Sequence, residues 1–156
     1  MSHKSSFRGL KGPVIISACL LGITCRYDGR SKLHEGLITH PGIIPIPVCP
    51  EQLGGLATPR PKACFVGGDG ICVLNGGAIL INDAGVDVTR NFIEGARHVI
   101  RIARLVNARF AILKEKSPSC GSHKVWVGED LTEGAGVCAA MLAGIGVSIM
   151  NEDGVE

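Results

Sequence analysis

Aromatic side chains are scarce in this chain, with one Trp, one Tyr and four Phe among 156 residues. So few rings leave little for a base-stacking platform, and a formal net charge of +2 leaves little electrostatic footprint for a polyanion. Nucleic acid is therefore not the expected partner. Long apolar runs are missing as well: 46% of the residues are hydrophobic, yet no run reaches the roughly 18 to 20 residues that cross a bilayer. No membrane partner is expected. The start, MSHKSSFRGLKG, carries basic residues without an apolar stretch or a small-residue cleavage site, so residues 1–12 read as a flexible tail rather than a signal peptide. Also absent are a C-x-x-C pair, a G-x-x-x-x-G-K-S/T loop and a glycine fingerprint after the first strand, where SACLLGITCRYDG stands instead. These absences argue against a zinc ribbon, a thioredoxin-type motif and a nucleotide cofactor.

What the chain does have is cysteine. Seven in an unsecreted protein fit the reducing cytoplasm, where thiols stay free, and an odd number cannot all pair within one chain. Metal binding or catalysis becomes a serious reading, against the plainer one that free Cys is a small buried hydrophobe. Position has to decide between them.

The length suits a single domain over residues 13–156. PVIISAC (13–19) and IIPIPVC (43–49) are short, β-branched runs bounded by Gly and Pro, as buried strands are, and both end on a cysteine. A short helix is expected at KLHEGL, and an ordered surface loop through QLGGLATPRPKACFVGGDG. GICVLNGGAILINDAG reads as a small peripheral β-hairpin about an NGG turn, which puts Cys72 in a brief strand. Apolar residues at Val88, Phe92, Ile93, Ala96, Val99, Ile100, Ala103 and Val106 follow the 3.6 period of a long helix, with Asp87 and Thr89 available as caps. Arg97, Arg101 and Arg104 share its opposite face, the usual mark of a solvated surface. RFAILKEK gives a further strand, followed by SPSCGS; KVWV, an EGAGVCAAMLAGI helix and GVSIM complete the chain.

Strands alternating with helices imply a single-domain three-layer α/β/α fold with a mainly parallel, Rossmann-like sheet. Ligands bind such sheets beyond the carboxyl ends of the strands. Cys19, Cys49 and Cys120 each lie at or just past such an end, and they are expected to converge on one site. Cys72 and Cys138 read as buried hydrophobes, while Cys25 and Cys64 sit on loops near the expected site and stay ambiguous. Three thiolates suit zinc with a fourth ligand from His34, His40 or His123, or an iron-sulfur cluster with one open iron. Spacing alone leaves both open.

Five motifs, ISACLLGITCRYDG, VCPEQLGGLATPRP, VGGDG, GVDVTRNFIEGA and LKEKSPSCGS, together resemble the thiouracil desulfidase family over about residues 13 to 150. The resemblance implies a 4Fe-4S cluster held by Cys19, Cys49 and Cys120, whose open iron accepts sulfur from a thiolated pyrimidine such as thiouracil. It implies catalytic roles for Glu51 and Ser117 and a small thiolated base as the partner. The chemistry agrees: replacing a thiocarbonyl sulfur by oxygen requires water, a base to deprotonate it and a soft acceptor for the sulfur. Glu51 also suits the first turn of a helix begun by Pro50, and Ser117 an ordinary hydroxyl-backbone turn. Lys114, Lys116, Arg26, Asp28 and Arg60 border the same loops. Two departures stand out. After TPR the family often reads PPAEI where this chain has PKACF, bringing Cys64 close to the expected site, and Cys138 stands where Thr is familiar. Two other readings compete: a non-catalytic metal or cluster-binding protein in sulfur transfer or redox sensing, and a cysteine-nucleophile enzyme pairing Cys120 with His123.

Overall fold

The computed structural model describes residues 7–156. In chain order its elements are β1 (Gly12–Ser17), α1 (Glu35–Ile38), β2 (Ile43–Val48), α2 (Pro50–Leu53), β3 (Ala63–Val66), α3 (Gly70–Leu74) and β4 (Ile79–Asn82). There follow α4 (Thr89–Val106), β5 (Phe110–Leu113), β6 (Lys124–Val127), β7 (Asp130–Glu133), α5 (Val137–Gly144) and β8 (Ser148–Asn151). A 3-10 turn, Ala18–Leu21, continues from β1.

The β-branched runs pair as parallel strands in the order β2-β1-β5-β8. Because side chains alternate along a strand, this sheet feeds two cores. Ile15, Ala111 and Leu113 face the larger one, with Phe65, Phe92, Val99 and Leu142. Val14, Ile16, Ile112 and Met150 face the smaller one, closed by Phe7, Leu10, Leu20 and Leu37. The smaller core is covered by the 3-10 turn and the one-turn α1 rather than by a long helix, because residues 18–42 are rich in glycine and turn residues. Phe7 and Leu10, within the expected tail, are buried there. Residues 1–6 of that tail lie outside the described residues.

The mixed α/β organisation around a parallel sheet matches the sequence expectation; a second sheet adds to it. Its order is β4-β3-β6-β7, with antiparallel β3/β4 and β6/β7 pairs joined by a parallel Phe65–Val127 contact. The expected hairpin over 70–85 does not form. Gly70–Leu74 is a helix, and β4 pairs instead with β3, inside the stretch expected to be loop. Asp69 explains the difference: its Oδ1 accepts the Cys72 N–H at 3.2 Å, the cap that starts a helix. Cys72 is accordingly helical.

α4 buries the apolar face that its period demands, including Phe92, Ala96, Val99 and Ala103, while Arg97 pairs with Glu94 in solvent. Asp87 accepts the Thr89 N–H at 2.9 Å, whereas the Thr89 hydroxyl accepts from the Leu80 N–H at 2.9 Å and ties the helix to β4. α2 lies against α4 backbone to backbone: a Cβ on Gly95 would run into the Pro50 carbonyl, and one on Gly54 into that of Asn91. That contact holds the start of α2 beside the end of β2. Among the described residues no helix is long and apolar enough to cross a membrane.

Candidate functional site

β1 sits between β2 and β5, so the chain leaves it in opposite directions and a crevice opens at the strands' carboxyl ends. The register aligns Ser17 with Val48, which brings the residues just beyond, Ala18–Cys19 and Cys49, side by side. The turn after β5 folds back over the same end. Cys19, Cys49 and Cys120 thereby line one cleft of about 340 Å³, together with Glu51 and Ser117. All five residues singled out from sequence are brought together.

The cysteine turn is held by main-chain contacts and by two side-chain acceptors, Ser117 and Glu115. Gly121 donates its N–H to the Ser117 carbonyl at 2.8 Å, and a Cβ there would strike the Lys124 and Ser117 carbonyls. Ser117 Oγ accepts the N–H groups of Ser119 at 3.2 Å and Cys120 at 3.1 Å. The turn contact expected of that hydroxyl is present, and its own proton is left to donate. The helix start after the turn also docks on it: the Val137 N–H bonds the Pro118 carbonyl at 3.0 Å and the Cys138 N–H that of Ser119 at 2.9 Å. These satisfy donors that every helix start leaves over. Lys116 takes a left-handed φ of 67°, held by Glu115, whose Oε1 accepts the N–H groups of Ser122, His123 and Lys124 at 2.9 to 3.0 Å.

Glu51 occupies the first turn of α2, after Pro50, so its helix-start role is met as well. Arg60 Nε donates to Glu51 Oε1 at 3.1 Å, leaving Oε2 only a 3.5 Å contact from the Ser119 hydroxyl. The same guanidinium donates to the carbonyls of Cys25 at 3.0 Å and Ala57 at 3.2 Å and to Thr58 Oγ1 at 3.1 Å. Lys114 pairs with Glu152 at 2.8 Å and Arg26 with Asp28 at 3.5 Å; of these four, Lys114 and Arg26 line the cleft.

A fourth thiol, Cys25, lines the cleft beside the other three. The Cys49 thiol donates to the Cys25 carbonyl at 3.7 Å, and the adjoining Cys25 thiol with the Gln52 N–H brings Cys49 below the ordinary thiol value while Cys25 is pushed up. Burial raises Cys19 to about 11, partly offset by the charges of Arg26 and Lys114, and raises Cys120 well above the ordinary thiol value. Two of these sulfurs are thus buried donors that favour a proton until a cationic centre replaces it. Among the described residues no three His, Cys, Asp or Glu side chains stand close enough to share a single metal ion. Zinc with three thiolates and a histidine is not supported: His34, His40 and His123 lie outside the cleft, His40 bonded to Phe7 and to Gly42 and Ile43. Three thiols lining one cleft with Arg26 and Lys114 are a soft donor set that fits an iron-sulfur group.

The Cys120–His123 pair finds no support either. His123 bonds Glu115, Ser122 and the Glu156 carbonyl, while the Cys120 thiol is buried and held protonated. Cys64 does not line the cleft; it lies on the outward-facing alternation of β3, opposite Ile81. Cys138 is fully buried in α5, as expected. Missed from sequence were Ser119, which stands in the SPSCGS run and reaches Glu51 from behind the cleft, and the wall formed by Tyr27, Lys62 and Trp126. The chain's single Tyr and single Trp both reach this cleft, which their scarcity alone could have flagged.

Comparison with known proteins supplies an independent finding. The family model for 2-thiouracil desulfurase matches residues 14–154. The uncharacterised protein YbbK of Bacillus subtilis (strain 168) is 40% identical over 147 residues, 90% of this chain and 95% of that one. Among solved structures, the 4Fe-4S-dependent thiouracil desulfidase TudS superposes with a TM-score of 0.77 at 36% identity, covering 92% of each chain.

Proposed function

The chain belongs to the 2-thiouracil desulfurase family, and from that premise we propose that it hydrolyses the carbon-sulfur bond of thiolated pyrimidine bases, with a 4Fe-4S cluster held by Cys19, Cys49 and Cys120. That it is an enzyme of the thiouracil desulfidase type follows from the family and from the TudS likeness. The observation that carries the finer reading is the convergence of three strand-end cysteines with Glu51 and Ser117 on one cleft. Seven free thiols support a cytoplasmic location.

The overall change exchanges the ring's C=S for C=O, consuming water and releasing hydrogen sulfide. When bound, a cluster held by three thiolates supplies an iron without a protein ligand, a thiophilic site for the departing sulfur. The remaining work falls to side chains. Glu51 Oε2, which Arg60 leaves open, accepts a proton from the attacking water. Ser117, fixed by two amides on its oxygen, donates its hydroxyl hydrogen to the ring's oxygen or nitrogen and so orients the base. Arg26 and Lys114 offset the negative charge that three thiolates gather.

Anaerobic reconstitution with iron and sulfide, followed by iron counting and assay of sulfide released from thiouracil, tests this. About four irons per chain are expected in the parent and in Glu51→Ala, with turnover of the variant reduced between about 100- and 10,000-fold. Cys120→Ala is expected to lose the cluster. A full cluster in Cys120→Ala would remove it as a ligand, and a cluster without turnover in the parent would favour a sulfur carrier.

A further inference from the structure

The PKACF departure puts a lysine, rather than Cys64, into the cleft. Lys62 Nζ lies 5.9 Å from the centre of the Tyr27 ring and 5.6 Å from that of Trp126, within cation-π range of both. These three come from distant parts of the sequence and meet only here. Two of them are anchored through the main chain: the Arg60 N–H donates to the Tyr27 carbonyl at 2.9 Å, and the Lys62 carbonyl accepts from the Asp83 N–H at 2.8 Å. Lys62 is exposed, and among the described residues no carboxylate pairs with it. The two carboxylates that share its cleft are already engaged, Glu51 by Arg60 and Glu115 by His123 and the amides of Ser122, His123 and Lys124. The result is a cation without a counter-charge, restrained by two rings and facing the space that holds the cysteines.

A planar thiolated pyrimidine carries oxygen as well as sulfur, and negative charge gathers on that oxygen when a ring N–H is lost. Resting on the desulfidase reading, we propose that Lys62 is a specificity-determining residue that donates to this ring oxygen and selects thiolated rings that bear one. The two aromatic faces restrain the ammonium, so the hydrogen bond is made at little cost in side-chain freedom. A ring with a thioamide but no oxygen, such as 2-thiopyridone, gains nothing from it.

The test compares reconstituted parent protein, Lys62→Met and Lys62→Arg. The Met variant keeps the stem and the fold of an exposed position while removing the charge. Two readouts are taken: kcat and KM for sulfide release from 2-thiouracil, and calorimetric titration with uracil, which needs no turnover. Lys62→Met is expected to raise KM and the uracil Kd about tenfold with kcat little changed, and Lys62→Arg to recover most of the loss. KM for 2-thiopyridone is expected to be the same in all three. Unchanged affinity in Lys62→Met, or an equal loss for both rings, would overturn the assignment and reduce Lys62 to a brace between Tyr27 and Trp126. Sulfide release indifferent to Lys62 would sink this inference alone; uracil binding that depends on Lys62 in a protein releasing no sulfide would sink the enzyme reading and keep it.

Discussion

Arg60 holds more of this cleft than any residue that faces the chemistry. Its guanidinium is 6% exposed and reaches four acceptors on three stretches of chain: the Glu51 carboxylate, the Cys25 carbonyl, and the Ala57 carbonyl with Thr58 Oγ1. Removing it leaves a partly buried carboxylate and a buried carbonyl without their donor, the costly way to break an ion pair. Arg60→Ala is therefore expected to lower unfolding stability by about 3 kcal/mol in urea titration. Arg60→Lys should recover less than half, because an ammonium cannot span acceptors that a planar fork reaches together. A loss under about 1 kcal/mol would mean that the cleft is held elsewhere. At this scale the sequence was informative about cysteines, since strand ends are visible as periodic runs. It was silent about Arg60's partners, which lie on a helix and two loops, and about the meeting of Tyr27, Lys62 and Trp126, which only the second sheet creates.

Among the elements, α4 was the most legible because eighteen residues hold one period and one buried face. The least legible was α3. Four apolar residues between glycines, Ile71 to Leu74, fit a strand or a helix equally well by period, and the decision fell to one capping carboxylate, Asp69. β7 was missed because all four of its residues are exposed and no apolar alternation marks it. The α2–α4 contact was equally invisible, since glycines pack by what they lack. It nevertheless sets where Cys49 and Glu51 stand. Gly95→Ala would force α2 off α4, with an expected cost of about 2 to 3 kcal/mol and a displaced Glu51. Urea titration reads the first and sulfide release the second; wild-type stability together with wild-type turnover would show that the helices part freely. Gly144→Ala, where a Cβ meets nothing, serves as the neutral control.

For the molecule as a whole, the joint that matters is Glu115. It follows β5 in the parallel sheet, collects the amides that lead into β6 of the second sheet, and receives Asn151 Nδ2 at 3.1 Å from the end of β8. Despite its partial burial, which acts the other way, the amides of Lys124 and His123 and the side chains of Asn151 and His123 bring its carboxyl down to about 2 from an ordinary 4.5. A depressed carboxylate stabilises the fold above its ordinary value. That contribution is lost as pH falls from about 4.5 toward about 2. His123, raised mainly by its bond to the Glu156 carbonyl and by Glu115, acts in the opposite sense: its contribution is complete below its ordinary 6.5 and fades as pH rises through the raised value. Urea midpoints of the parent should therefore drop steeply over the acid range, and those of Glu115→Gln much less. Parallel curves for the two proteins would assign acid unfolding to other carboxylates.

The docking of α5 on the cysteine turn carries one more implication. Its bonds run from amide to carbonyl, Val137 to Pro118 and Cys138 to Ser119, so they do not depend on the side chains at 137 and 138, whereas Gly136 admits none, since a Cβ there would strike the Ser119 carbonyl. Cys138, in place of the familiar Thr, stands in that first turn and is fully buried behind the cysteine turn. The cleft thus has a floor tied by main chain and a wall of side chains at Tyr27, Lys62 and Trp126. New substrates would be reached by altering that wall, with the cysteines left where they stand.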